Sequence, residues 1–269
     1  MEIKVLGQLT AAESGTSVVP SAAKPRQILA LLALNANHVV TVQVLMEELW
    51  GLDLPRSAPT TLQTYILQLR RKLGAALAAG ACAGAHVPVC SAKDLLATRH
   101  NGYLLAVDPR DIDAREFDRL TAEGYAAYEQ DDPARASRLL SEALALWRGP
   151  ALVDLQRGPL LEIEAMRLQE SRLAALGRRI DAELRLHHHY EILGELAGLT
   201  AQYPLDENLH AQFMLALYRC GRASGALQAF RRLRAGLIDE LGLEPSARVQ
   251  RLHQAILASD PALDAIARV

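Results

Sequence analysis

Residues 57–74 read Ser57-Ala-Pro-Thr-Thr-Leu-Gln-Thr-Tyr-Ile-Leu-Gln-Leu-Arg-Arg-Lys-Leu-Gly74 and predict one helix, capped by Ser57 and ended by Gly74. Apolar side chains recur at the i, i+4, i+7, i+11 spacing of a buried stripe, at Leu62, Ile66, Leu69 and Leu73. The opposite face carries short hydrogen-bonding and basic side chains, at Thr60, Thr64, Gln68 and Arg71. Such side chains bond base edges in a DNA major groove, while arginine and lysine hold phosphates. A solvent-facing amphipathic helix has the same pattern, so the neighbouring elements decide between the two interpretations.

The segments before this helix predict a small sheet and two further helices. Short alternating or β-branched stretches in residues 2–9 and 17–19 flank a turn of composition Ala-Glu-Ser-Gly-Thr and predict antiparallel strands. The first helix begins near Pro25, and the second begins at the N-cap Thr41 and ends at Gly51. The order of elements is therefore sheet, helix, helix, loop, helix.

A hairpin is predicted after the third helix. Asn101-Gly102 is a strong tight-turn signal, and residues 103–107 alternate as the returning strand. Arg99 and His100 lie beside this turn. Three helices followed by such a wing form a DNA-binding arrangement, in which the third helix enters the major groove and the hairpin tip touches the adjacent backbone.

An alanine-rich insert, residues 75–96, separates the third helix from the wing. Its small side chains predict mobility at its centre, and it contains Cys82 and Cys90. Together with Cys220 these cysteines are too few and too irregular for a disulfide framework. A redox or metal role for two thiols in a reducing compartment is the less favoured alternative.

Composition and charge indicate a globular protein with two unlike halves. Half of the 269 residues are hydrophobic and 22% are charged. No apolar run approaches the roughly 20 residues of a membrane helix, and the N-terminus lacks a signal-peptide pattern, so we expect a cytoplasmic protein. Residues 1–107 carry nine basic and six acidic side chains, whereas residues 108–269 carry twenty and twenty-five. This asymmetry favours a DNA-binding domain, 1–107, followed by a protein-binding domain, 108–269.

The second half has helical periodicity from Asp111 onward and an internal similarity. Tyr128 precedes Ala136 by the same interval as Tyr218 precedes Ala226, with a polar turn within each pair. Small alanines that let helices approach are typical of tetratricopeptide-like repeats, which build protein-binding surfaces. A plain helical bundle is the alternative. The predicted fold class is therefore mainly α, with an N-terminal winged helix-turn-helix that has a small β-sheet and a wing hairpin, followed by an all-α tetratricopeptide-like domain.

The sequence contains no motif for catalysis or cofactor binding. It lacks the phosphate-binding loop, the dinucleotide glycine pattern, the Gly-x-Ser-x-Gly elbow and the His-Glu-x-x-His metal motif. Residues 187–189 are three consecutive histidines, but neighbouring residues of a helix point about 100° apart and do not converge on one ion. We therefore expect no enzyme activity, no cofactor and no metal site.

Stretches along nearly the whole chain match one family. They are Lys24-Pro-Arg-Gln-Ile-Leu-Ala-Leu-Leu, Leu49-Trp-Gly, Thr60-Thr-Leu-Gln-Thr-Tyr-Ile-Leu-Gln-Leu-Arg-Arg-Lys-Leu, Asn101-Gly-Tyr-Leu-Leu, Ala143-Leu-Ala-Leu-Trp-Arg-Gly-Pro-Ala-Leu, Leu215-Ala-Leu-Tyr-Arg-Cys-Gly-Arg, Leu241-Gly-Leu-Glu-Pro-Ser and Ile256-Leu-Ala-Ser-Asp-Pro. Through these stretches the chain resembles the Streptomyces antibiotic regulatory proteins, which are pathway-specific activators of secondary-metabolite gene clusters.

The resemblance implies an OmpR-type winged helix and a bacterial transcriptional activation domain with tetratricopeptide-like helices. It also implies binding to direct repeats near the promoter −35 region as a side-by-side homodimer, and recruitment of RNA polymerase through the sigma factor and other subunits. The loop of residues 51–58 is the family's polymerase-facing element, which assigns that contact to Gly51, Leu52, Asp53 and Arg56. The chain ends soon after the activation domain, so it resembles the small members, which lack ATPase and sensor modules.

The expected DNA contacts combine the helix pattern and the wing. Groove-facing positions are Thr60, Thr64, Gln68 and Arg71; positions that meet or flank phosphates are Thr61, Gln63, Arg70 and Lys72; wing positions are Arg99, His100 and Asn101. The family often has proline where Asn101 stands, and residues 75–96 form a longer insert than most members carry. A transcriptional repressor and a tetratricopeptide-type protein-interaction scaffold remain alternatives to an activator.

Overall fold

The N-terminal elements form a winged helix with two small sheets. The computed structural model describes residues 1–82 and 91–265. In chain order the elements are β1 (Glu2–Lys4), β2 (Thr10–Glu13), β3 (Thr16–Ser17), α1 (Ala23–Leu34), β4 (Val40–Thr41), α2 (Val42–Trp50), α3 (Ala58–Cys82), α4 (Ala92–Leu95), β5 (Leu96–Arg99) and β6 (Gly102–Leu105). The predicted winged helix-turn-helix, with its small sheet and wing hairpin, is confirmed.

The rest of the described chain is helical, as predicted. A 3₁₀ turn at Pro109–Asp111 leads into α5 (Asp113–Glu129), α6 (Pro133–Ala145), α7 (Pro159–Arg185), α8 (His189–Gln202), α9 (Glu207–Arg219), α10 (Ala223–Leu241), α11 (Ala247–Leu257) and α12 (Ala262–Ala265). None of the described helices is both long enough and apolar enough to cross a bilayer.

Packing divides the chain into two compact units. Unit 1 contains Met1–Leu120 and Glu142–Leu173, and unit 2 contains Thr121–Ser141 and the described residues from Ala174 onward. Unit 1 therefore includes α7's first turns as well as the winged helix. The functional boundary between residues 107 and 108 stays a prediction.

The first sheet has an additional strand, β2, which runs into the stretch that the sequence assigned to a turn. Its strands are antiparallel in the order β1-β2-β3, with Ile3 opposite Ala11. Ser14 and Gly15 both have positive φ angles, 49° and 77°, as two-residue hairpin turns require. The residues before this turn form β2, which pairs with β1 on one side and with β3 on the other. This pairing overrides the low β-propensity of alanine.

Helix α3 continues past Gly74, its predicted end, to Cys82. Alanine-rich sequence follows Gly74, and its high helix propensity outweighs the cost of about 1 kcal/mol that one interior glycine imposes. Near the end of α3, a Cβ on Gly80 would clash with the side chain of Ser14, so this glycine lets the helix pack on the β2–β3 turn. The predicted mobile centre of the insert, with Cys90 and the Cys82 side chain, lies outside the described residues.

Unit 2 contains the repeat-like helix pairs. Gly124 on α5 lies against α6, where an added Cβ would be 2.7 Å from Leu140 Cγ. In the second pair, Gly225 of α10 faces Leu217 of α9. The Phe230 ring then stacks on α11, and its centroid lies 3.9 Å from that of His253. Small residues at the helix contacts and a bulky residue beyond them agree with the predicted tetratricopeptide-like fold.

The three consecutive histidines do not share one helix, so the premise of the sequence argument was wrong. Helix α7 ends at Arg185, His187 has a φ of 63°, and α8 begins at His189. The Nδ1 atom of His188 lies 2.6 Å from a carboxylate oxygen of Glu183. Burial lowers the pKa of His189. Within the described ranges, no group of three or more metal-ligand side chains is present.

Candidate nucleic-acid interface

Helix α3 presents the predicted polar face to solvent. The stripe of Leu62, Ile66, Leu69 and Leu73 is buried. The four predicted groove-facing side chains are exposed: Thr60, Thr64, Gln68 and Arg71. The Thr64 hydroxyl donates to the Thr60 carbonyl at 3.1 Å, which orients it along the helix. This face has the length and the side-chain chemistry of a helix that reads a major groove.

The flanking positions differ in exposure. Gln63 and Lys72 are exposed, and Thr61 is half-buried. Arg70 is also half-buried, because its guanidinium turns away from the polar face of α3 and toward the wing.

Arg70 joins the third helix to the wing strands. Its Nε and Nη2 atoms donate to the Leu96 carbonyl at 2.9 and 2.7 Å, and Nη2 also donates to Thr98 Oγ1 at 2.8 Å. The guanidinium carbon lies 6.0 Å from the ring centroid of Tyr103. The predicted phosphate contact of Arg70 stays a prediction, and the geometry adds a positioning role that the sequence did not indicate.

The wing is the outer hairpin of the second sheet. The strand order is β4-β6-β5, with Val40 opposite Tyr103 and Arg99 opposite Gly102. The predicted tip residues Arg99, His100 and Asn101 are all exposed. The sheet therefore holds the tip at the end of two paired strands, on the same side of the domain as the Arg70 anchor.

Asn101 gives the wing turn a conformation that proline is unable to adopt. Its φ is 59°, in the left-handed region that asparagine tolerates, whereas the proline ring holds φ near −65°. The Asn101 carbonyl accepts a hydrogen bond from Val42 N at 2.9 Å, which ties the turn to the start of α2. A Cβ on Gly102 would clash with the Val40 carbonyl, so glycine is required beside it.

A basic concavity lies between α3 and the wing. It is lined by Arg70, Lys93, Asp94, Ala97, Thr98 and Arg99. Lys93, which is exposed on the short helix α4, was not among the predicted contacts. The sequence did contain a signal for α4, because Ser91 and Asp94 form a capping box at the start of this helix. The hydrogen bonds from Ser91 lower the pKa of Asp94.

Comparison with known proteins identifies the family. A family model described as "Transcriptional regulatory protein, C terminal" matches residues 16–81, and one described as "Bacterial transcriptional activator domain" matches residues 112–257. The chain is 52% identical over 264 residues to regulatory protein DnrI of Streptomyces peucetius, which covers 98% of this chain and 94% of DnrI. The chain belongs to the Streptomyces antibiotic regulatory protein family of transcriptional activators.

Two further relatives extend the comparison to other bacteria. Transcriptional regulator RedD of Streptomyces coelicolor is 36% identical over 263 residues, covering 98% of this chain and 72% of RedD. The solved structure of Mycobacterium tuberculosis EmbR, in complex with a low affinity phosphopeptide, is 32% identical and superposes with a TM-score of 0.87. That match covers 99% of this chain and 68% of the EmbR chain. The order of winged helix and helical domain is thus shared within the family.

Leu67 is the residue on the polar face of α3 that the sequence analysis missed. Its side chain is 49% exposed, although leucine in an amphipathic helix is expected to be buried. Helical spacing (i+7 from Thr60 and i−4 from Arg71) puts it beside these two residues on the polar face. The periodicity alone contained this signal, since Leu67 falls outside the stripe of buried leucines.

The loop of residues 51–58 exposes two leucines beside its charges. The predicted contact residues Leu52, Asp53 and Arg56 are exposed, and Gly51 is half-buried with a φ of 57°. Leu52 is fully exposed and Leu54 is 50% exposed. The loop therefore presents apolar as well as charged side chains to solvent, and Leu54 was absent from the predicted set.

Proposed function

We propose that this family member activates transcription of a secondary-metabolite, antibiotic-type gene cluster from the cytoplasm. It binds direct repeats near the promoter −35 region as a side-by-side homodimer and recruits RNA polymerase, including its sigma factor. The observation that carries the proposal is the solvent-exposed polar face of α3 next to a basic wing. Helix α3, the reading helix, and the wing together supply base contacts and phosphate contacts, which are the two components of specific DNA binding.

The DNA-binding role is assigned to residues 1–107, and the protein-binding role to residues 108–269. The proposed DNA contacts are Thr60, Thr61, Gln63, Thr64, Gln68, Arg71, Lys72, Arg99, His100 and Asn101, whereas Arg70, which the sequence assigned to phosphate, is proposed to position the wing against α3. The proposed polymerase contacts are Gly51, Leu52, Asp53 and Arg56, with Leu54 added by its exposure. The resemblance of this chain to DnrI and RedD, both regulators by name, supports the transcriptional role.

Arg71→Ala tests the reading helix. If the guanidinium bonds a guanine edge, the variant should lose about 1–3 kcal/mol of binding free energy and lose selectivity at one base pair. A footprinting titration on the repeats upstream of neighbouring biosynthetic genes, and on shuffled repeats, measures both effects. An even loss on all sequences would make Arg71 a phosphate contact, and no loss on any of them would remove it from the interface.

Assays on the same DNA distinguish an activator from the two alternatives, a repressor and a protein-interaction scaffold. With purified RNA polymerase, an activator raises transcript output and a repressor lowers it. A protein that contacts several phosphates also loses affinity steeply as salt rises. A scaffold without DNA binding would have no salt-dependent affinity, and that result would overturn the proposed function.

Leu67 is expected to contact a thymine methyl group in the major groove. Replacing that thymine with deoxyuridine removes one methyl, which should weaken binding by about 0.8 kcal/mol, or about fourfold. Leu67→Ala should bind both DNAs equally, because the partner of the methyl group is gone. A deoxyuridine scan across the footprint measures this, and equal sensitivity in wild type and variant would contradict the contact.

A further inference from the structure

A pocket of about 240 Å³ opens between α8, α9 and α10 in unit 2. Its lining contains three polar side chains, Thr200, His210 and Arg232. The rest of the lining is apolar: Ala197, Ala201, Pro204, Phe213 and Ala229. This volume lies just below the roughly 300 Å³ at which small-molecule sites usually begin. The pocket is remote in sequence from the reading helix, the wing and the loop of residues 51–58.

His210 is the buried polar group of this pocket. The side chain is only 5% exposed, and neither ring nitrogen has a hydrogen-bond partner of acceptable geometry. Burial lowers the pKa of His210, while nearby backbone carbonyls, first that of Pro204, and the Asp206 carboxylate act in the opposite direction. A buried polar side chain without a partner is costly, and a ligand with a hydrogen-bonding group would relieve that cost.

The other polar side chains complete the recognition pattern. The Thr200 hydroxyl donates to the Leu196 carbonyl at 2.9 Å, so its hydrogen is used within α8. Arg232 is exposed on α10 and forms no ion pair with the part of the chain that the structure describes. By contrast, Arg234 on the same helix is paired with Glu244 at 2.5 Å. Arg232 therefore offers a free positive charge at the pocket's edge.

We propose that this pocket binds a small aromatic carboxylic acid that carries a second hydrogen-bonding group. The ring packs against Phe213, Pro204 and Ala229, the carboxylate pairs with Arg232, and the second polar group bonds a ring nitrogen of His210. The apolar lining requires a mostly hydrophobic body, and the arginine selects an anion over a neutral analogue. Binding at this site is separate from the proposed contacts with DNA and polymerase.

Three probes separate the parts of the proposal in calorimetric titrations of the full chain. They are 4-hydroxybenzoate, benzoate, which lacks the hydroxyl, and 4-hydroxybenzamide, which lacks the charge. We expect 4-hydroxybenzoate to bind, and each of the other two to bind at least about fivefold more weakly. Equal affinities for the three compounds, or no binding of 4-hydroxybenzoate up to about 10 mM, would overturn the proposal.

Variants on exposed positions test the site without disturbing the fold. Arg232→Gln should reduce the affinity for 4-hydroxybenzoate to that for 4-hydroxybenzamide, whereas Arg231→Gln, the same change one residue earlier, should have no effect. Ala201 is exposed at the pocket's edge, so Ala201→Phe should close the pocket and abolish binding of all three probes. Circular dichroism verifies folding of each variant. Unchanged binding by both Arg232→Gln and Ala201→Phe would place the probe elsewhere and refute the assignment.

Discussion

Replacing Glu48 with alanine is expected to lower the free energy of unfolding by about 3–5 kcal/mol. Glu48 lies on α2 and is only 2% exposed. Its two carboxylate oxygens accept hydrogen bonds from Gly158 N at 2.7 Å, Leu160 N at 2.9 Å and Leu161 N at 3.1 Å. These amides belong to the start of α7, where helix N–H groups have no partner within the helix and favour a negative charge. The alanine variant leaves three donors without their acceptor, one of them buried and two partly buried.

Urea denaturation of wild type and variants measures this loss. Glu47→Ala is the matched control, because Glu47 is the preceding residue and is exposed, so its loss should stay within about 0.5 kcal/mol. Glu48→Gln keeps the shape and one acceptor oxygen and should fall between the two. A Glu48→Ala variant as stable as Glu47→Ala would show that water replaces the carboxylate at the start of α7.

Replacing Arg70 with alanine is expected to reduce DNA affinity by at least about tenfold, which corresponds to about 1.4 kcal/mol. The guanidinium bonds the Leu96 carbonyl through two nitrogens and Thr98 through one of them, so it fixes the wing against α3. Without this anchor the wing is no longer held at a fixed position relative to α3, so the two elements do not contact the DNA together. Lysine has one ammonium in place of the planar guanidinium, so Arg70→Lys should not restore affinity.

Salt dependence distinguishes this anchor from a phosphate contact. Lys72 is exposed on the same helix, so Lys72→Ala should make the negative slope of log affinity against log salt shallower by about 1. Arg70→Ala should leave that slope unchanged, because the lost bonds are within the protein. If Arg70→Lys restores affinity, or if Arg70→Ala makes the slope shallower, Arg70 contacts phosphate as the sequence predicted.

Local patterns predicted most of the elements. The buried stripe of Leu62, Ile66, Leu69 and Leu73 and the wing hairpin were both confirmed, but the turn is formed by His100 and Asn101, one residue earlier than predicted, and Gly102 pairs with Arg99. The Thr41 cap was confirmed too, since its hydroxyl accepts from Val44 N at 3.3 Å. Each of these depends on residues a few positions apart, which the sequence displays directly. The predicted end of α3 at Gly74 was wrong, because the alanine-rich sequence after Gly74 continues the helix to Cys82 despite the local glycine signal.

The sequence by itself determined that the chain is mainly α and that the exposed side of α3 is polar and basic. It also determined the family of activators to which the chain belongs. Only the tertiary structure decided what Glu48, Arg70 and His210 do. Glu48 and the amides it caps are about 110 residues apart in the chain, and Arg70 and its acceptors are separated by 26 and 28 residues. His210 owes its unpaired ring nitrogens to three helices packed around it. Hydrogen-bond partners brought together by packing leave no periodic signal, because no fixed spacing along the chain connects them.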